Sequence, residues 1–169
     1  MTSGGERLED FVRAALGLRD LLTEEPRAEA SVPDRLRRLE RCLARLHVAV
    51  LELEQVSVAG VEVTSLSAWN EVETRAAAKR YCASLPEDCI GFWTALEPWK
   101  LESDGLGFLD VDWALENVVS WLDAGMNALR EGDGRTAASL WCDLYRGALG
   151  RYLRDLLSAL GAREEASAG

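Results

Sequence analysis

Histidine occurs once in this chain of 169 residues, methionine twice and proline four times. No Cys-x-x-Cys pair and no apolar run of membrane-spanning length is present. Each shortage removes a class of function. A metal or proton-transfer site in a helical protein needs several inward histidines or carboxylates at paired spacings, such as Glu-x-x-His repeated on facing helices, and none occurs. The single histidine, His47, stands between Leu46 and Val48 and reads as a core-edge or surface residue rather than as a ligand or base. Cys42, Cys82, Cys89 and Cys142 are scattered within apolar patterns and read as buried free thiols. None is placed by spacing beside His47 to make a nucleophilic pair. Gly105-x-Gly107 lacks a third glycine, and Glu-Gly-Asp-Gly-Arg at 131–135 lacks the lysine of a phosphate loop, so both read as turns. Nor does 104–112 match the ligand spacing of a calcium loop. No catalytic, metal-binding or cofactor-binding residue emerges.

Basic residues are also short: 19 Lys and Arg against 29 Asp and Glu give a formal charge of −10. A field of that sign repels phosphate backbones and anionic lipid headgroups, which argues against nucleic acid and membrane surfaces and leaves a basic protein as the partner the charge favours. The N-terminal residues carry Glu6, Glu9 and Asp10 where a secretion signal would be positive, so the chain is expected in the cytoplasm. Hydrophobic residues at 48% and charged residues at 28% are the balance of an ordinary folded domain, and this length suits one.

What the chain does have is helical periodicity. Leu8, Phe11, Val12, Ala15, Leu18 and Leu22 share one face of a first helix over 6–22. Ser31-Val-Pro33-Asp34 carries the start signals of a second, in which Leu36, Leu39, Leu43, Leu46, Val50 and Leu53 form a lengthwise seam. A homodimer through this leucine-rich helix is one expectation. The alternating valines around Ala59-Gly60 predict a very short hairpin or an extended connection near 56–63.

A third helix is predicted over 68–83, and Ser84-Leu-Pro86-Glu87 should open a short fourth, ending before Pro98 and carrying Phe92 and Trp93. The aperiodic stretch 97–109 reads as a loop of the kind that can carry function. A fifth helix, capped by Asp110 or Asp112, has Leu115, Val118, Val119, Leu122, Met126 and Leu129 on its inner face and stops at Gly132-Asp-Gly134. A sixth, capped by Asp133 and headed by the aromatic residues Trp141 and Tyr145, carries Leu149, Leu153, Leu156, Leu157 and Leu160 as its amphipathic stripe and is closed by Gly161. The expectation is an all-α, single-domain antiparallel bundle of about six helices over 6–161, with flexible termini at 1–5 and 162–169.

Two features bear on function. Six tryptophans is generous for this length, and Trp113 and Trp121 both lie off the Leu115/Val118/Leu122 stripe. They are anchors for a partner if that side is open, or core if the helix is covered on both faces, the reading a six-helix bundle favours. Arg35, Arg37, Arg38, Arg41 and Arg45 crowd the N-terminal half of the second helix, against its dipole. They read as a solvated face paired to neighbouring helices, or as a surface for an acidic partner.

Phe92-Trp93-Thr-Ala-Leu-Glu-Pro98-Trp99, the acidic-capped helix at 112–130, the Ala137/Ala138…Trp141…Gly147 pattern and the Leu85-Pro86 element together resemble a bacterial family known as domain of unknown function 5063. The resemblance spans about 6–160. The family pattern implies an Asp-rich stretch in the fifth helix and a late Trp-Gly…His element. This chain has Trp113, Ala114, Asn117 and Trp121 in the first and Tyr145 and Gly147, with no histidine, in the second.

These readings converge on a non-catalytic interaction or regulatory module of a bacterial cytoplasm, of immunity or adaptor type. Its candidate contact residues are Trp93, Trp99, Trp113, Trp121, Arg38, Arg41 and Arg45. The alternative is a small-molecule or enzymatic site under the 97–109 loop, using Glu97, Lys100 and Asp104.

Overall fold

Leu8, Phe11, Val12, Ala15, Leu18, Leu21 and Leu22 are all buried along one face of a single helix, α1 (Gly4–Thr23), in the computed structural model of the chain. The structure describes residues 4–24, 31–53, 69–86, 91–95 and 106–167, and of these 92–95, 106–109, 148 and 162–167 through the backbone alone. The helix α2 (Val32–Leu53) starts where the sequence says it should: Ser31 Oγ accepts from the Asp34 amide at 3.3 Å and donates to its carboxylate at 2.6 Å. Arg7 near the start of α1 reaches the Glu52 carbonyl at the end of α2, and Arg38 pairs with Glu24, so the two helices run antiparallel.

Leu36, Leu39, Leu43, Leu46, Val50 and Leu53 are all buried in the chain's own core, packed among α1, α5 and α6. That seam is therefore spent within the monomer and is closed to a second copy. At roughly 1.5–3 kcal/mol per fully buried aliphatic side chain, it is a main contributor to the fold.

The helix α3 (Glu71–Ala83) begins at 71 rather than 68, because Asn70 takes an extended conformation and its side chain accepts from the Glu73 amide. The helix α4 (Val111–Arg130) is buried over most of its circumference. It ends with the amides of Gly132 and Asp133 bonded back to Leu129 and Ala128, while Gly132 supplies the positive φ of 81° that this closure demands. Asp133 then caps α5 (Gly134–Leu144), accepting from the Thr136 amide at 2.8 Å. The turn chemistry read from 131–135 is what the chain makes of it.

Between Ser84 and Leu109 three expectations are corrected. Where a short fourth helix was expected, Gly91–Ala95 is strand β1, paired antiparallel with Leu106–Asp110, strand β2, in the register Gly91 opposite Asp110 and Ala95 opposite Leu106. Ser84 closes α3 instead of opening another helix, its amide returning to Arg80 and Tyr81. Phe92, Trp93 and Thr94 are residues that favour a pleated surface, and pairing with β2 decides between the two periods. The end of the supposed 97–109 loop is thus strand, while 96–105 and the hairpin near 56–63 lie outside the described residues.

The last helix is not continuous. The chain widens into one π turn at Tyr145–Leu149 and kinks at Gly147 before α6 (Gly150–Ser167) begins. Nor does Gly161 stop α6, which runs on to Ser167. A glycine ends a helix only where it turns left-handed, and Gly161 does not. The fold is all-α, with six α-helices among the described residues and one two-stranded ribbon inserted between α3 and α4.

Candidate functional site

The tryptophans separate into two roles. Trp121 and Trp141 exchange hydrogen bonds across the α4–α5 hairpin: Trp121 Nε1 donates to the Trp141 carbonyl at 3.0 Å, and Trp141 Nε1 to the Leu122 carbonyl at 3.1 Å. Phe11 of α1 lies 4.4 Å from the Trp141 ring and meets Trp121 edge-on at 5.8 Å. Both indoles are buried with their polar atoms satisfied, so Trp121 is core and not a contact residue.

Trp113 is 44% exposed. Eight residues along a helix turn the side chain by about 80°, and α5, with 11 residues against the 20 of α4, cannot reach the first turn of its neighbour. Instead Tyr152 of α6 meets the Trp113 ring edge-on at 5.0 Å and 85°, holding it in place without covering it. Asp110 and Asp112 stand exposed beside it. Asp112 Oδ1 accepts from the Trp113 amide at 2.7 Å, which leaves its second oxygen free of that bond. An aromatic face with neighbouring carboxylates can take the apolar stem and cationic head of lysine or arginine. Trp93 lies on β1 and is described through its backbone alone, while Trp99, Glu97, Lys100 and Asp104 fall outside the described residues.

The arginines of α2 divide as well. Arg35 is absorbed structurally, lying 5.0 Å over the Tyr81 ring and donating to the Ser84 carbonyl. Arg37 pairs with Asp34, and Arg38 with Glu24. Arg41 and Arg45 are exposed and make no ion pair among the described residues. They line an open groove of about 440 Å³ between α1 and α2, together with Gly17, Asp20, Leu21 and Cys42. Burial, the largest cause, pushes the Cys42 thiol up, against the opposing pull of Arg45 and Arg38, so this cysteine is not an activated thiolate.

Two polar clusters were not foreseen. The Tyr145 hydroxyl lies 2.8 Å from His47 Nδ1, and His47 is held below its ordinary pKa, first by burial and then by the charge of Arg154. Tyr145 belongs to the π turn, so the contact depends on the break near Gly147, which no sequence period reveals. Asp123, nearly buried, accepts from Trp69 Nε1 at 3.2 Å and from Asn127 at 2.9 Å. Its carboxyl raises the pKa of neighbouring Glu71 by hydrogen bonding, with desolvation and charge repulsion adding to the effect. Among the described residues no three His, Cys, Asp or Glu side chains gather as a metal ion requires. Within the same residues, no helix is long and apolar enough to cross a membrane.

No protein-family model, curated protein or solved structure matched the chain.

Proposed function

We propose that this chain is a non-catalytic interaction module that captures a basic protein partner, with Trp113 as the anchor and Asp110 and Asp112 as the charges beside it. The exposure of Trp113 carries the reading: a large aromatic ring left 44% exposed on a helix and braced by Tyr152 is the kind of residue on which binding energy concentrates. The net charge of −10 would steer a cationic protein toward the surface, and tryptophan would then supply contact area at small entropic cost. The same reading makes the chain an adaptor or immunity-type protein of a bacterial cytoplasm and carries with it the resemblance to domain of unknown function 5063, a name that implies no activity.

The test is affinity capture of the tagged chain from lysate of its own organism, with Trp113→Ala and Asp110→Asn beside it. The expected result is a near-stoichiometric basic partner, released by added salt, whose affinity falls about thirtyfold or more in Trp113→Ala, the loss typical of a hot-spot residue. The variant itself should remain folded, at a cost of about 2–4 kcal/mol for the buried part of the ring and its Tyr152 contact. Capture unchanged by Trp113→Ala, or recovery of the bait alone from cells that express it, would overturn the proposal.

A further inference from the structure

The outer face of α2 carries a second seam, opposite the leucines. Arg41, Arg45, Val48 and Glu52 succeed one another at spacings of four, three and four, the repeat by which two helices pack lengthwise, and all four are exposed. Val48, at 53%, is among the most exposed large apolar side chains of the described residues, and Leu51, at 39%, lies on the same helix near the seam. On the α1 side this face is floored by small residues, Ala14, Gly17 and Ala49, which leave an open groove of about 470 Å³. Asp10 and Arg13 of α1, paired with each other at 2.6 Å, stand at its rim.

The order of charges along the seam states what that helix is. Positive residues stand at its N-terminal end and Glu52 at its C-terminal end, which is the pattern that pairs with itself when reversed. A two-fold axis crossing α2 midway between positions 46 and 47 sets Arg41 opposite Glu52 of a second copy, Arg45 opposite Val48, and the same pairs again in reverse. The aliphatic stem of each Arg45 then covers the exposed valine. Arg41, unpaired among the described residues, gains a carboxylate.

We propose that the outer face of α2 is a homodimer surface, in which two copies pair antiparallel through Arg41, Arg45, Val48 and Glu52. The pairing is independent of the Trp113 reading. Two chains of charge −10 repel at long range, so the dimer forms where salt screens the net charge and the short-range seam decides. At physiological ionic strength the screening length is about 8 Å.

Sedimentation equilibrium of the full chain from about 1 µM to about 1 mM reads the outcome directly, this range covering the affinities of a small interface. The expected result is a mass that climbs from one chain toward two. Arg41→Glu and Glu52→Arg, each exposed and outside the core, should weaken the dimer at least tenfold. Their combination restores the pair with its charges exchanged and should recover most of the affinity. Val48→Lys, which places a charge at the centre of the seam, should leave a folded monomer. A wild-type chain that stays monomeric throughout would overturn the assignment. So would a dimer that ignores Val48→Lys and both single charge changes, or a double variant no better than either single one.

Discussion

A β-carbon on Gly125 would lie 2.1 Å from Cε2 of Trp141, far inside van der Waals contact. The glycine is there so that the indole can lie flat on α4 and reach the Leu122 carbonyl. Gly125→Ala therefore overpacks the centre of the core and should cost about 1–3 kcal/mol, read as a lower urea midpoint with the slope unchanged. By ordinary helix propensity the same change would stabilise, so the sign of the shift separates the two effects. Residue identity announced Trp141 as an aromatic core residue. Which partner atoms it would find, and that Gly125 makes room for it, depended on where α5 lies.

Among the elements, the α5–α6 junction is the one most dependent on local geometry. The backbone oxygen of Tyr145 would stand 2.3 Å from a β-carbon on Gly150, too close for a side chain unless the π turn opens. Gly150→Ala should thus shift Tyr145 and break its contact with His47, visible as a displaced His47 imidazole resonance and a lower melting temperature. Leu153, Leu156 and Leu160 were legible as a helical stripe, and all three are buried. The kink before them was not, since no proline or left-handed residue marks it. The same limit explains the ribbon: Phe92-Trp93-Thr94 satisfies either period, and only the pairing of Gly91 with Asp110 settles it. By contrast Ser31 and Asp133 act within one turn of their own position and are read locally, whereas the Asn70 cap is passed over and the helix predicted from 68.

For the whole molecule, the dependence of stability on pH follows from where the fold puts its few perturbed groups. His47 is held below its unfolded value near 6.5, so the folded chain resists a proton that the unfolded chain accepts. Its contribution is intact above that value and is lost as pH falls below it. The carboxyl of Glu71, raised by its neighbour Asp123, acts in the opposite sense at lower pH, favouring the fold while protonated and ceasing to do so as pH rises. Between pH 7.5 and 5.5, the denaturation midpoint of the wild-type chain should therefore fall more than that of His47→Gln. Equal falls would mean that the imidazole is not shielded in solution.

The distribution of charge belongs to the same scale. The segments 25–30, 54–68, 87–90 and 96–105, which lie outside the described residues, together hold nine acidic and two basic residues, so much of the net negative charge lies in them. Arg41 and Arg45, meanwhile, are presented together on one helix face.

By itself the sequence determined that this chain is helical and where most of its helices begin and end, and it identified the residues of α1, α2 and α4 that face inward. Period and capping are properties of neighbours in the chain, so they survive without knowledge of the fold. Tertiary structure decided which tryptophan was left outside, since Trp113 lies about 80° round α4 from Trp121 and beyond the reach of α5. It also consumed the leucines of α2 within the core and opened the opposite seam to solvent. Exposure depends on what packs from elsewhere in the chain, and periodicity within one helix cannot carry that information.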